Sequence, residues 1–263
     1  MMNKLTLYQA DAFTNHVFGG NPAAVCVLNH WLASDLMQKI AAENNLSETA
    51  FLVKEKEQYH IRWFTPSVEV DLCGHATLAA AHILFEFGFE QGNEITFFSQ
   101  KSGILRVERT GDLLTLDFPS DEFYKVPVSE EILASFDLIP FEAYRGKTDY
   151  MIVFESESEV KSIIPDFVQM AKIDCRGIIV TAKGTQVDFV SRFFGPKSGV
   201  NEDPVTGSAH TTLTPYWSRK LDKTKMKAKQ VSEREGDLEV EDCGDRVKIS
   251  GRCITYLKGE IFF

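Results

Sequence analysis

One pattern occurs twice in this chain, about 130 residues apart. The first copy runs Arg62-Trp63-Phe64-Thr65-Pro66 and then Cys73-Gly74-His75-Ala76-Thr77. The second runs Arg192-Phe193-Phe194-Gly195-Pro196 and then Asp203-Pro204-Val205-Thr206-Gly207-Ser208-Ala209-His210-Thr211. Each copy reads as an aromatic strand ending near a proline, a short polar loop, and a glycine opening a helix. A repeat of this kind restricts the fold to two like units, here residues 1–120 and 121–263, with the last strands able to cross between them. A length of 263 residues accommodates either one large domain or two smaller ones, and the repeat favours two. It also supplies two helix N-termini. If these face one cleft, their free backbone N–H groups suit a small anion.

The pattern between the copies is rich in strands. Strands are expected at 4–10, 24–28, 51–53, 59–64, 94–98, 102–107 and 113–118, then near 149–154, 177–181 and 187–194. Ser34 is read as the cap of a helix to about Asn44, and Ser129 as the cap of a short one. A further helix is expected near 164–172. Gly74 to Phe87 is apolar almost all round, so this helix belongs inside the fold. A second helix is expected from about Gly207 to Leu221, with Pro215 kinking it or limiting its first turns. The expected class is α+β: two pseudo-symmetric halves, each a curved, mostly antiparallel sheet wrapped around a central helix.

A net charge of −10 with scattered acids argues against nucleic acid and anionic membranes as partners. The basic run from Lys220 to Lys229 reads as a solvated face. No apolar stretch reaches a membrane span, and the residues after Met1 lack a signal-peptide core. Five cysteines with no CxxC pattern fit reduced thiols in a cytoplasm, so no disulfide is expected. GxGxxG and P-loop motifs are absent, and Ser208 is not in a GxSxG elbow. Cys73, His75, His82 and His210 lack zinc-ligand spacing, so no metal is expected.

Four polar residues could carry chemistry, and each has an ordinary structural reading as well. Glu48 lies between a helix end and an apolar strand. There it is either a surface carboxylate or a shielded acid whose raised pKa suits proton transfer. His75, in the first turn of the buried helix, is either a core histidine or a hydrogen-bonding group. The positive helix end disfavours imidazolium, so a neutral ring is expected. Asp203, just before Pro204 and the turn into the second helix, reads first as a simple cap, and Ser208 has a capping reading as well as a ligand-contact one.

The run Asp11-Ala12-Phe13, Gly20-Asn21-Pro22-Ala23-Ala24-Val25, Ser47-Glu48-Thr49-Ala50-Phe51, Gly74-His75-Ala76-Thr77 and Glu202-Asp203-Pro204-Val205-Thr206-Gly207-Ser208-Ala209 resembles the PhzF-like (phenazine biosynthesis-like) isomerases. The motifs follow that family's order, and the resemblance covers essentially the whole chain. It implies the diaminopimelate-epimerase-like fold and cofactor-independent movement of a proton between carbons of a small carboxylate. By the same resemblance Glu48 is the general acid/base, with His75 and Asp203 as catalytic partners. Gly74, Gly207 and Ser208 are implied as substrate-binding positions, and a homodimer as the assembly. Epimerases of this fold use two facing thiols. Cys73 lies near one such position, but the second half offers Asp203, so a two-thiol racemase is not expected and Cys73 reads as a small buried filler. The rival reading is a non-catalytic small-anion binding or sensor protein, which would need the helix ends but no shielded acid.

Overall fold

The computed structural model describes residues 3–263, so Met1 and Met2, where the expectation about a signal peptide begins, lie outside the described residues. The chain divides into two compact units. The first runs through Asp117 and takes back Ser250–Phe263; the second is Phe118–Ile249. The division falls at 117/118, and the last strand returns to the first unit.

The first unit contains β1 (Lys4–Ala12), β2 (Asn21–Leu28), α1 (Ser34–Asn44), β3 (Glu48–Glu55), β4 (Gln58–Phe64), β5 (Glu69–Val70), α2 (Gly74–Glu86), β6 (Glu94–Ser99), β7 (Gly103–Thr110) and β8 (Leu113–Pro119). The second contains β9 (Tyr124–Val126), α3 (Glu130–Leu133), β10 (Glu142–Arg145), β11 (Tyr150–Val153), α4 (Glu157–Ser162), α5 (Phe167–Met170), β12 (Ile178–Lys183), β13 (Phe189–Gly195), β14 (Val200–Asp203), α6 (His210–Leu221), β15 (Lys225–Gln230), β16 (Gly236–Asp242) and most of β17 (Arg246–Gly251). The final strand, β18 (Cys253–Phe262), pairs antiparallel with β1.

The pairing order in the two units is the same. β1–β2 is antiparallel, β2–β3 parallel, β3–β4 antiparallel and β4–β6 parallel. β10–β11 is antiparallel, β11–β12 parallel, β12–β13 antiparallel and β13–β15 parallel. Even the edge strand matches, with β18 on β1 and β9 on β10. Each parallel step is a crossover that packs helices on the sheet. In the first unit, Met37 and Ile40 of α1 pack with Phe51, Val53 and Phe64. In the second, Val160 of α4 and Met170 of α5 pack with Ile152, Val180 and Phe194. The helix expected near 164–172 is the shorter α5, which starts after Pro165 where Asp166 caps it through the N–H groups of Val168 and Gln169, and α4 upstream of it is a separate helix that was not expected.

α2 is buried on nearly every side, against β1, β2, β3 and β18. Its apolar sequence has no polar stripe to turn to water. Burying each of Leu78, Ile83 and Leu84 contributes about 1.5–3 kcal/mol. Around α1 the cap differs from expectation: Ala33 is the N-cap, and Ser34 is the first helical residue. Its hydroxyl instead accepts a bond from Arg62 Nη2 at 3.0 Å. Ser129 does cap α3, accepting from Ile132 N. The second central helix opens with a 3₁₀ turn, Gly207–Ala209, before α6. Pro215 lies within α6, which continues through it. The carbonyl its ring leaves without an intrahelical donor is that of Thr211, and Asp121 N–H occupies it at 3.2 Å.

The repeated Arg-aromatic-Phe motif has a physical cause. Arg62 and Phe64 share one face of β4, and the guanidinium stacks over the ring at 5.1 Å. Glu69 on β5 pairs with Arg62 through two bonds of 2.7 Å. Arg192 repeats this on β13, over Phe194 at 4.9 Å and paired with Glu202 on β14 at 2.7 and 2.9 Å. In both units the pair pins the short strand that leads to the glycine.

These registers fix which residues correspond. Phe51 pairs with Arg62 and Val180 with Arg192, so Glu48 corresponds to Gly177. Trp63 pairs with Val70 and Phe193 with Asp203, so Val70 corresponds to Asp203. The glycines then align Cys73 with Thr206, His75 with Ser208 and Thr77 with His210.

Candidate functional site

In the first unit, Glu48 is the first residue of β3 and His75 lies in the first turn of α2. His75 Nε2 is 3.0 Å from Glu48 Oε2. It is an ion-pair contact, without the alignment of a linear hydrogen bond. Their side chains are 6% and 17% exposed, which shields the pair from bulk water. On the other side of the ring, Asn21 Nδ2 lies 3.2 Å and Cys73 Sγ 3.5 Å from Nδ1. Asn21 is fully buried at the start of β2. Cys73 is the N-cap of α2, and its carbonyl accepts from Thr77 Oγ1 at 2.6 Å.

The electrostatics run against the expectation of a neutral His75. Burial opposes a charged imidazole, but the Cys73 sulfur and the Glu48 carboxylate oppose burial and prevail, so the His75 pKa is held well above the usual value. Burial, reinforced by the Glu48 charge, pushes the Cys73 thiol up to about 11. Near neutrality the sulfur is therefore an uncharged thiol, so its share of that rise is absent there and the neighbouring Glu48 carboxylate is what works against burial. The helix end, which is local in sequence, disfavours the charge; the carboxylate that opposes burial comes close only through the start of β3.

Glu48, Cys73 and His75 each offer a ligand-type atom within 4.8 Å of one another. The carboxylate and the sulfur address different ring nitrogens, whose lone pairs diverge. That geometry suits a proton passed between a carboxylate and an imidazole better than a cation shared by all three.

In the second unit, Asp203 ends β14, and Gly207 and Ser208 open the helix that follows. Asp203 Oδ2 accepts from Thr206 Oγ1 at 2.5 Å. Ser208 Oγ accepts from Arg176 Nη1 at 2.9 Å. Arg176 is held by the buried carboxylate of Asp149, at 2.9 Å from Nε to Oδ1 and by a second, very short contact from Nη2 to Oδ2. Burial works against the Arg176 charge, yet its bonds to Asp149 and the charges of Asp203 and Asp121 keep it firmly protonated. Here the helix start presents a hydroxyl and a guanidinium, with a carboxylate four residues before the glycine.

A family model described as phenazine biosynthesis-like protein matches residues 10–259. The chain belongs to that family. An uncharacterized isomerase of Pseudomonas aeruginosa is 50% identical over 258 residues, covering 98% of each chain. The phenazine biosynthesis-like domain-containing protein of Homo sapiens is 39% identical over 290 residues, covering 98% of this chain and 99% of its own. A PhzF-family crystal structure from Enterococcus faecalis superposes with a TM-score of 0.96 at 47% identity, covering 99% of this chain and 100% of that one. A hydroxyproline epimerase from Agrobacterium vitis shares the fold with a TM-score of 0.63 at 11% identity. As a PhzF-like chain this protein is an isomerase with the α+β fold of that family. None of the helices among the described residues is long and apolar enough to cross a membrane.

Glu48, Gly74, His75, Asp203, Gly207 and Ser208 are the site residues expected from the sequence. The structure brings Glu48 and His75 into contact in one unit, and sets Asp203, Gly207 and Ser208 along one turn of the other. Three polar neighbours fall outside that set: Asn21 beside His75, Arg176 beside Ser208, and Gln230, whose Oε1 accepts from Thr206 N at 2.8 Å. Asn21 lay within a quoted motif. Arg176 and Gln230 carried no local signal, because each reaches its partner across strands.

Proposed function

We propose that this isomerase moves a proton between carbons of a small carboxylate, with Glu48 as general acid/base and His75 and Asp203 as its catalytic partners. The observation that carries the reading is the shielded Glu48–His75 contact of 3.0 Å. A carboxylate beside a protonated imidazole can take a proton from carbon while the imidazole balances the charge that remains. Positioned acid/base catalysis contributes typically ~10²–10⁴-fold. Gly74, Gly207 and Ser208 are assigned to substrate binding, through backbone N–H groups and the Ser208 hydroxyl. Each helix end favours an anion by about 0.3–1 kcal/mol, so the ends orient the substrate more than they grip it. The proton stays on protein side chains and substrate carbon, and no cofactor takes part.

The test is carbon-bound deuterium uptake from D₂O across a panel of small unsaturated and cyclic carboxylates. Uptake with at least one of them, lost in Glu48→Gln, is the expected result. Binding of a carboxylate without uptake by any of them would leave a small-anion binding protein instead. The setting proposed is the cytoplasm, and the assembly a homodimer. Tyr256 and Phe262 on β18 are exposed apolar surface that a second copy would cover. Light scattering at micromolar concentration that returned the monomer mass would overturn the dimer.

A further inference from the structure

The turn that carries Asp203 is tied down by three side chains that the proposed chemistry does not use, those of His210, Gln230 and Ser232. His210 and Gln230 are both completely buried. Gln230 Nε2 donates to the Asp203 carbonyl at 2.8 Å and to Thr206 Oγ1 at 3.2 Å, while its Oε1 accepts from Thr206 N at 2.8 Å. His210 Nδ1 donates to the Thr206 carbonyl at 2.9 Å. Ser232 Oγ donates to the Pro204 carbonyl at 2.7 Å.

Thr206 is the centre of this arrangement. Its N–H, carbonyl and hydroxyl are all engaged. Because Gln230 donates to its hydroxyl oxygen, the hydroxyl proton is directed to Asp203 Oδ2 at 2.5 Å. The carboxylate is thereby held in one orientation. The carbonyls of Asp203, Pro204 and Thr206 are turned into the protein, each on a separate donor. A carbonyl of this turn swung toward the substrate would repel an anion at the helix start.

The other half shows that the tie recurs by different means. Thr77 corresponds to His210 and Cys73 to Thr206, and Thr77 Oγ1 donates to the Cys73 carbonyl at 2.6 Å. In both halves the carbonyl just before the helix glycine is held by the side chain four residues on. One half uses a hydroxyl and the other a ring nitrogen. The Gln230 clamp has no such counterpart, since Ser99 occupies the matching position of β6.

We infer that His210 and Gln230 are positioning residues, which fix the Asp203 carboxylate and the Gly207–Ser208 helix start through Thr206. The inference rests on the proposed role of Asp203 and Ser208 toward the substrate. His210 acts as a neutral donor there, since burial pushes its pKa down to about 4. Its Nε2 has no hydrogen-bond partner among the described residues, so that nitrogen can be lost without breaking a bond. Its ring also lies 5.9 Å from that of Phe189, and a phenyl group would keep this packing.

Three variants test it: His210→Phe keeps the ring and removes the donor, His210→Asn restores a donor near the Nδ1 position, and Gln230→Leu removes the clamp. The first measurement needs no substrate: amide hydrogen exchange of the 203–209 segment, followed by mass spectrometry, in proteins whose cooperative thermal unfolding is verified. His210→Phe and Gln230→Leu are expected to exchange this segment at least about tenfold faster, with His210→Asn close to wild type. The second uses the carboxylate with the fastest deuterium uptake in the wild type. There kcat is expected to fall at least about tenfold in His210→Phe with KM changed less than about threefold, and to recover in His210→Asn. Unchanged protection in both disruptive variants overturns the clamp. A loosened turn with unchanged kcat overturns the positioning role. Absence of uptake by the wild type on every carboxylate overturns the functional reading and the role built on it, while the exchange data still decide whether the clamp exists.

Discussion

The two halves share a pairing order, an Arg–Glu pair and a glycine-opened helix, yet they differ at each position where a proton could be held. Glu48 of the first half corresponds to Gly177 of the second, where a Cβ would come within 2.2 Å of the Phe193 ring. No acid can be placed at that position without moving Phe193. Asp203 of the second half corresponds to Val70 of the first. His75 corresponds to Ser208, and the buried thiol of Cys73 to the hydrogen-bonded hydroxyl of Thr206. Duplication therefore supplied one scaffold, and substitution at four matched positions separated its uses. The first half keeps a carboxylate–imidazole pair that can carry a proton. The second keeps a carboxylate in a fixed hydrogen-bonded turn, with Arg176 and Ser208 at the helix start.

The sharpest way to break this contrast is to remove one carboxylate at a time. Glu48→Gln is expected to reduce carbon-bound deuterium uptake by about 10²–10⁴-fold, and Asp203→Asn by less, as rates on one substrate would show. Equal losses would mean that the halves share the proton chemistry. In Glu48→Gln the His75 titration, followed by NMR, should move down toward the ordinary histidine range, since the carboxylate that opposes its burial is gone.

The two halves should also respond differently to acid. His210 has a folded pKa of about 4, below its unfolded value of ~6.5, so the unfolded chain binds the extra proton. Stability attached to this group is present above the unfolded pKa and lost as pH falls toward 4. His210→Phe should lose on the order of 3 kcal/mol less than wild type between pH 6.5 and 4, measured by denaturant unfolding at each pH. His75 has the opposite sign: its folded pKa is raised, so its contribution is present below the unfolded pKa and lost as pH rises through the folded one.

Smaller effects should separate the paired arginines. Arg192 is 11% exposed against 27% for Arg62. Breaking the more buried pair strands its partner carboxylate, so Arg192→Ala should cost about 2–3 kcal/mol and Arg62→Ala about 1 kcal/mol in denaturant titrations. Least of all is expected from reductant. All five cysteines are free, so thiol titration of the denatured, unreduced protein should count five groups, and dithiothreitol should leave the unfolding midpoint unchanged.

Much of this protein was legible in the sequence because the signals were local. The 3.6-residue and two-residue periods placed the long helices and most strands. The apolar run from Gly74 to Phe87 had to be interior, and the doubled Arg-aromatic-Phe motif announced two like halves. What local pattern could not supply was contact between distant residues. Glu48 and His75 meet because the end of one crossover and the start of a buried helix converge, and that meeting, absent from any periodicity, sets a carboxylate against the burial that would lower the imidazole pKa. Ser34 looked like a cap until Arg62 claimed its hydroxyl. Pro215 read as a kink, yet α6 continues through it and the Asp121 N–H satisfies the carbonyl it orphans. Gln230 had no signal at all, since a lone glutamine at a strand end gains meaning only when the next turn folds over it. Sequence by itself determined the halves, the helices and the candidate acids; tertiary structure decided which polar groups share a proton and which merely hold a turn, because burial and charge act through space and not along the chain.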